Sequence, residues 1–362
     1  MYSAEYLQKF TYELFRKIGC PEQDAATLAD VLLAAEKRGI SSHGMIRIKD
    51  YYQMWEKGRI NILPDIRVLR ETPGTAAVDG DGAFGMVAAK RSMQIAIDKA
   101  EQVGTGWVTT QNSSHFGIAG YYSMMALEHD MIGIAMTNAN PLVAPTFSKS
   151  RMLGTNPIAV AIPAGNHPPY VADFATTPIA RGKLKIKGQL GEQIEEGFVQ
   201  DAEGHPSRDP DIIKQGGAIL PLGGDPLHGS HKGYCMNSIV DIFSAVFSGA
   251  NFGPFVPPQV PYLDPPDKQT GKGLGHFFGA MRIDAFQEKE TFKQRMDQWI
   301  ETFRQAESAS GQPPVLIPGD PERSMEAQTT REGIELMEAV KKDLSEVAGS
   351  LGLTFDMEGT GK

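Results

Sequence analysis

Cysteine is nearly missing from this chain: Cys20 and Cys235 are the two in 362 residues, far apart and without metal-type spacing. That excludes a disulfide framework and a thiolate metal centre, and it fits a reducing compartment such as the cytoplasm. Long apolar runs are missing too, since none approaches the roughly 20 residues that a membrane-spanning helix needs. The first residues show helical periodicity at Leu7, Phe10, Leu14 and Ile18 with Glu, Lys and Arg between them, in place of the basic start and apolar centre of a signal peptide. Basic charge is short as well: 35 Lys and Arg against 44 Asp and Glu give a formal net charge of −9. Phosphate-rich partners want clustered cations, and the one basic run, Arg181 to Lys187, reads as a solvated loop. Nucleic-acid and membrane roles are therefore not expected.

What is present describes a globular protein, with 41% hydrophobic and 22% charged residues in a chain able to bury a large core. Up to Ile60 the pattern predicts three helices, the second starting at Pro21 and burying Ala25, Leu28, Leu32 and Ala35. From Thr75, strands alternate with helices: Ala76 to Val78, a helix from Met86 to Glu101, Gly106 to Thr110, a helix from Ile118 to His129, then strands at Ile132 to Thr137, Ile158 to Ile162 and Tyr170 to Asp173. Such alternation predicts an α/β sheet. Lys183 to Leu220 reads as loops with a short hairpin, and Asp264 to Lys272 as a surface loop. Helical spacing returns at Cys235, Ile239, Ile242 and Val246, at Phe292, Met296, Trp299 and Phe303, and at Leu336, Val340, Leu344 and Val347.

The segment Asn112-Ser113-Ser114-His115-Phe116-Gly117 sits where a strand hands over to a helix. Open α/β sheets bind ligands at the carboxyl ends of their strands, and an imidazole with an ordinary pKa near ~6.5 can pass a proton there. A hydrogen-bonding loop histidine is the plainer reading of His115. A second cluster, Ser41-Ser42-His43-Gly44-Met45-Ile46-Arg47, reads as the opening of a helix with Ser42 as its cap. His43 and Arg47 would then share one face, while Met45, Ile48, Tyr52 and Trp55 dock the other. A planar guanidinium suits a carboxylate, so Arg47 is the candidate anchor for a small acid; a solvated helix face is the alternative.

Gly80-Asp81-Gly82-Ala83-Phe84-Gly85 fits the dinucleotide pattern G-x-G-x-x-G. The acidic residue that should end the next strand is missing, because Thr110, Gln111 and Asn112 stand there. These glycines read instead as a tight turn with close helix packing. Asp173, followed by Phe174 and Ala175, ends a later strand, where a carboxylate can accept ribose hydroxyls and repel a 2′-phosphate; this favours NAD and leaves NADP open. Lys232, before a helix expected from Tyr234, would suit phosphates or be a surface lysine. His228 and His231, with His205 and Asp209 or Asp225, could form a zinc site for hydrolysis, although no H-E-x-x-H occurs. No metal is expected.

Taken together, Ser41 to Arg47, Asn112 to Gly117, Ala135 to Asn138, Leu153 to Pro157, Val171 to Asp173, Pro221 to Gly223, His231 to Tyr234 and Pro318 to Glu322 resemble the malate and L-lactate dehydrogenases of the second, non-Rossmann type. That family includes ureidoglycolate, sulfolactate, diketogulonate and piperideine-2-carboxylate oxidoreductases. The resemblance runs from about Tyr6 to about Val347. It implies a mixed-sheet α/β fold of the sulfolactate-dehydrogenase type, with a helical lead-in (1–70) packed with a C-terminal helix (329–349) and an α/β core (71–328). It implies hydride exchange between a nicotinamide and a small 2-hydroxy or 2-oxo acid of malate or lactate type, or a related substrate, in a homodimer. His115 is then the acid/base, with His43 the second candidate, and Arg47 holds the substrate carboxylate. Asn138 and Ala139, the latter through its backbone, and the turn Gly319-Asp320-Pro321-Glu322 are implied at the cofactor. Phe198-Val199-Gln200 departs from a Trp-Ala pair common in relatives, which leaves the substrate open.

Overall fold

The computed structural model describes residues 1–359. Its lead-in is α1 (Ala4–Ile18), α2 (Glu22–Lys37) and α3 (Ile48–Glu56). Ser3 caps α1 by accepting the Tyr6 N–H, and Gly19 ends it in the left-handed conformation. The α1 stripe Leu7, Phe10, Leu14 and Ile18 is buried, as the spacing predicts.

The centre is a sheet of seven strands. They are β1 (Arg67–Thr72), β2 (Thr75–Asp79), β3 (Thr105–Ser113), β4 (Met131–Thr137), β5 (Ile158–Ile162), β6 (Tyr170–Phe174) and, much later in the chain, β10 (Leu274–Arg282). Their order is β1-β2-β3-β10-β4-β5-β6. Within this sheet only β2 and β3 pair in parallel, joined through α4 (Gly85–Val103); every other neighbour is antiparallel. Hence β2, β3, β4 and β6 run one way, and the ends of β3, β4 and β6 open on one edge of the sheet. The glycine pattern before α4 is a packing device: a Cβ on Gly85 would lie 2.0 Å from the Ser114 carbonyl oxygen. α5 (Ala119–Met125) comes after the His115 loop, continues as a 3₁₀ turn to His129, and covers β4 and β5.

Several elements differ from the sequence reading: β1 was not expected, and the C-terminal helix expected over 329–349 is broken between Glu332 and Glu338. The central strand β10 was not expected, because its run Leu-Gly-His-Phe-Phe-Gly-Ala is buried on both faces and shows no alternation. In place of loops and one hairpin, the basic run forms α6 (Arg181–Leu190), and the chain beyond it forms a small sheet of β7 (Val199–Gln200), β8 (Pro206–Ser207) and β9 (Ala218–Ile219). Val143, Leu153, Ile179, Leu184, Val199 and Ile219 give this region its own apolar core.

The next helix, α7 (Ser230–Asp241), starts earlier than Tyr234 and runs on as a π turn, Ile242–Val246. α8 (Lys289–Arg304) is stapled beside the β5–β6 turn by Asp297, whose carboxylate accepts the N–H groups of Gly165, Asn166 and His167 at 3.0, 2.7 and 3.1 Å. α9 (Asp320–Glu332) begins at the Pro318-Gly319 turn, and α10 (Glu338–Ser350) packs against α3, where Lys49 bridges Asp343 and Glu346. No described helix is long and apolar enough to cross a membrane.

Candidate active site

The loop after β3 is pinned before it carries any chemistry. Ser114 Oγ donates to the Ala83 carbonyl at 3.0 Å and accepts the Gly85 N–H at 2.9 Å. The His115 N–H donates to Gln259 Oε1 at 2.8 Å. The His115 side chain is equally held: Nδ1 lies 2.7 Å from the Tyr51 hydroxyl and 3.3 Å from the Gly117 N–H, a donor. Nδ1 is therefore the acceptor nitrogen, and the neutral ring carries its proton on Nε2. Burial, then the positive charge of Arg47, holds His115 well below the usual imidazole range, so the ring is neutral at pH 7. Burial pushes Tyr51 up to about 12, keeping it a phenol.

The Ser41–Arg47 segment is not the single helix expected. It forms two 3₁₀ turns, Ser41–His43 and Met45–Arg47, on either side of Gly44, and α3 begins only at Ile48. The cause lies beneath it. Glu36 of α2 accepts the Met45 N–H through Oε1 at 2.7 Å, and a Cβ on Gly44 would lie 2.3 Å from that oxygen. Only glycine lets the turn rest on Glu36. Ser42 does not cap a helix; its hydroxyl lies 2.9 Å from His43 Nδ1. His43 nevertheless reaches the same place as His115, with the two rings stacked at 5.4 Å. Burial and Arg47 lower His43 to about 4.

Arg47 bonds Asp50 at 2.8 Å and the Gln259 carbonyl at 3.0 Å, and its guanidinium carbon lies 5.6 Å from the Tyr51 ring centre. Its Nε and the second Glu36 oxygen, Oε2, are buried with no hydrogen-bond partner in the protein. Burial raises the Glu36 carboxyl, partly offset by the Met45 N–H and Ser41.

Two adjoining cavities meet at the histidines. The larger, about 900 Å³, is lined by Glu36, Arg38, Asn138, Ala139, Asp173, Phe174, Ala175, Lys183, Pro321 and Glu322. The smaller, about 350 Å³, is lined by Arg47, Asp50, Asn140, Arg181, Gln259 and Tyr262. Ser41, Ser42, His43, His115, Ala139 and Thr155 face both. The chamber sizes suit a dinucleotide beside a small acid, with the imidazoles at the junction.

The expected cofactor residues arrive unequally. Asn138 is buried in a structural network, donating to the Asn251 carbonyl at 2.8 Å and accepting the Gly275 N–H at 3.0 Å. The Ala139 N–H is already taken by Asn156 Oδ1 at 2.9 Å. Asp173 accepts the Gly120 N–H at 2.7 Å, and burial pushes its carboxyl up to about 6. Pro321 and Glu322 face the large cavity, but Gly319 and Asp320 are not among its lining residues; Asp320 pairs with Arg304 and Arg323. Val315 to Ile317 leads to that turn without forming a strand. Lys232 is exposed on α7 and does not line the cavity. The zinc reading fails: His228 pairs with Asp225, His205 with Asp201, and no metal-binding cluster exists among the described residues.

Three contributors were missed by sequence reasoning. Tyr51 lies one position before the expected apolar residue Tyr52, and Gln259 lies in a Pro-rich stretch without periodicity. His276, on β10, is fully buried between Thr137 Oγ1 and Ser113 Oγ, both at 2.7 Å, and stacks on Phe116 at 4.8 Å. It ties the ends of β3 and β4 together across the strand between them.

Known proteins share this architecture. The family model described as malate/L-lactate dehydrogenase matches residues 2–345. The chain is 38% identical to a malate dehydrogenase of Pyrococcus abyssi over 348 residues, 96% of this chain and 94% of that one. It is also similar to the L-sulfolactate dehydrogenase of Methanocaldococcus jannaschii, 38% identical over 96% of each chain. The solved structure of that enzyme matches with a TM-score of 0.88 and 37% identity over 98% of both chains. A malate dehydrogenase structure from Entamoeba histolytica matches with a TM-score of 0.90 and 32% identity, again over 98% of both chains.

Proposed function

The chain belongs to the malate/L-lactate dehydrogenase family and is a nicotinamide-dependent oxidoreductase of hydroxy acids, and from that premise we propose how its residues divide the work. The substrate is a small 2-hydroxy or 2-oxo acid of malate or lactate type, held in the smaller chamber, and the cofactor is NAD, held in the larger one. The observation that carries this reading is the position of His43 and His115 at the junction of the two chambers.

The large chamber fits a dinucleotide by its donor set. Glu36 offers a buried, unpartnered carboxyl oxygen, Asp173 and Glu322 offer further acceptors for hydroxyls, and Arg38 and Lys183 offer charge for phosphates. With Glu335, four carboxyl groups stand in one lining and disfavour an added 2′-phosphate, which supports NAD over NADP. When bound, the nicotinamide supplies or takes the hydride.

The protein's part is to hold the acid and move one proton. Arg47 binds the C1 carboxylate, competing with Asp50 for its guanidinium. In oxidation, the neutral ring passes to the tautomer with its proton on Nδ1, donated to the Tyr51 hydroxyl, and the bare Nε2 accepts the hydroxyl proton of the substrate. In reduction, an imidazolium gives its Nε2 proton to the C2 oxygen and keeps the one on Nδ1. A bound acid anion favours the imidazolium, and Tyr51 serves both states: its hydroxyl donates to a bare Nδ1 and accepts from Nδ1–H. His43 remains the alternative proton donor, and His115→Asn beside His43→Asn separates them by which variant loses turnover.

The working unit is a homodimer. The exposed apolar face of α7 and its π turn supports this: Ile239, Ile242, Phe243, Val246 and Phe247 are between 40% and 68% exposed. The two cysteines are unpaired, in keeping with the cytoplasm. The deciding assay is loss of reduced-nicotinamide absorbance with NADH and NADPH against oxaloacetate, pyruvate, sulfopyruvate and piperideine-2-carboxylate. Turnover of a 2-oxo acid with NADH is expected; turnover with NADPH alone would reject the NAD assignment.

A further inference from the structure

The smaller chamber holds a second guanidinium besides Arg47, that of Arg181. Five charged side chains line it: Arg47, Lys49 and Arg181 against Asp50 and Asp343. Asp50 is paired with Arg47 at 2.8 Å and Asp343 with Lys49 at 2.6 Å. No ion pair joins Arg181 to a carboxylate among the described residues.

Arg181 is held in place without a counter-ion. Its guanidinium donates to the Tyr262 hydroxyl and lies 5.9 Å from the centre of that ring. Arg47 donates to the carbonyl of Gln259, three residues earlier in the same wall. One short segment thus braces both guanidinium groups. The backbone beside Arg181 is fixed from the other side, because a Cβ on Gly182 would lie 2.9 Å from the Ser42 side chain. The start of α6 therefore abuts the turn that carries His43.

Building on the reading that this chamber takes the acid, we propose that Arg181 is a specificity-determining residue that binds a second anionic group on the substrate. The substrate class is then a short 2-oxo or 2-hydroxy acid with a carboxylate or sulfonate at its far end. Arg47 takes the C1 carboxylate, His115 faces the C2 oxygen, and Arg181 takes the distal acid. A monoacid leaves the Arg181 charge facing an apolar methyl group, which forfeits a charge-assisted bond. Because Arg181 is partly exposed, its discrimination is smaller than that of a fully buried pair, roughly 100-fold.

The test measures kcat/KM for oxaloacetate, sulfopyruvate, pyruvate and 2-oxobutyrate with the full-length protein and with Arg181→Met and Arg181→Lys. The native protein is expected to prefer the two dianions by roughly 100-fold. Arg181→Met should collapse that ratio to within about fivefold, chiefly through KM for the dianions, and Arg181→Lys should restore part of it. The ratio of oxaloacetate to sulfopyruvate tells which distal acid is read. Nicotinamide-nucleotide binding, measured by fluorescence titration, should persist in both variants and shows that they are folded. Parallel loss on dianions and monoacids, or an unchanged ratio, overturns the assignment. If the native protein turns over monoacids alone, Arg181 is misassigned while the oxidoreductase reading stands; if it turns over no 2-oxo acid, that reading falls first and this one with it.

Discussion

Tyr51 carries two loads at once, fixing the orientation of His115 and adapting to both of its protonation states. Tyr51→Phe should keep the ring packed but leave Nδ1 with only the Gly117 N–H. We expect kcat to fall roughly 10- to 100-fold with KM for the acid within about threefold; an unchanged kcat rejects the role. The depressed His115 also shapes pH dependence. In oxidation, kcat/KM needs the neutral ring, so it should stay flat through pH 7 and 8 and fall only in acid, below the usual histidine range. An inflection above pH 7 assigned to His115 would contradict the geometry. His276 makes a parallel statement about stability. Burial lowers its pKa to about 3 against roughly 6.5 in the unfolded chain. The unfolded state therefore takes up the proton first, and stability is lost as pH falls from about 6.5 towards 3. His276→Gln can bond both hydroxyls without titrating, so its melting temperature should depend less on pH across that window. Equal slopes in both proteins would show that His276 proton uptake is not a contributor.

At the scale of elements, Asp297 pins α8 to the β5–β6 turn. Three backbone N–H groups outweigh partial burial and hold its carboxyl below the usual range. Asp297→Ala strands those donors and should cost about 2–3 kcal/mol, read as a lower melting temperature with the acid KM unchanged. An unchanged melting temperature would show the staple to be incidental. Elements also mark what was legible in the sequence. The amphipathic lead-in and the strands β2, β4 and β5 could be read because burial follows a period on one face. β10 could not, since burial on both faces erases the period and His276 interrupts the apolar run. The histidine motifs were legible as motifs, but the 3₁₀ geometry around Gly44 was not, because it depends on Glu36 from another helix. Tyr51 and Gln259 reach His115 through tertiary contacts that leave no local pattern.

For the whole molecule, the apolar face of α7 is the feature that a solitary chain explains least. Phe243→Asp with Val246→Asp should shift the protein from dimer to monomer in sedimentation or light scattering; a native protein that is already monomeric defeats this expectation. The order of the sheet has a temporal consequence as well. β3 and β4 bear the histidine loop and the Asn138 turn, yet neither pairs with the other; both pair with β10, a segment that begins at residue 274. On the ribosome, therefore, two open strand edges wait for more than a hundred residues of further synthesis before their shared partner emerges. Over that interval the nascent chain holds an unfinished sheet with a gap at its centre, the state in which a chaperone has most to protect and a prematurely ended chain has most to aggregate through.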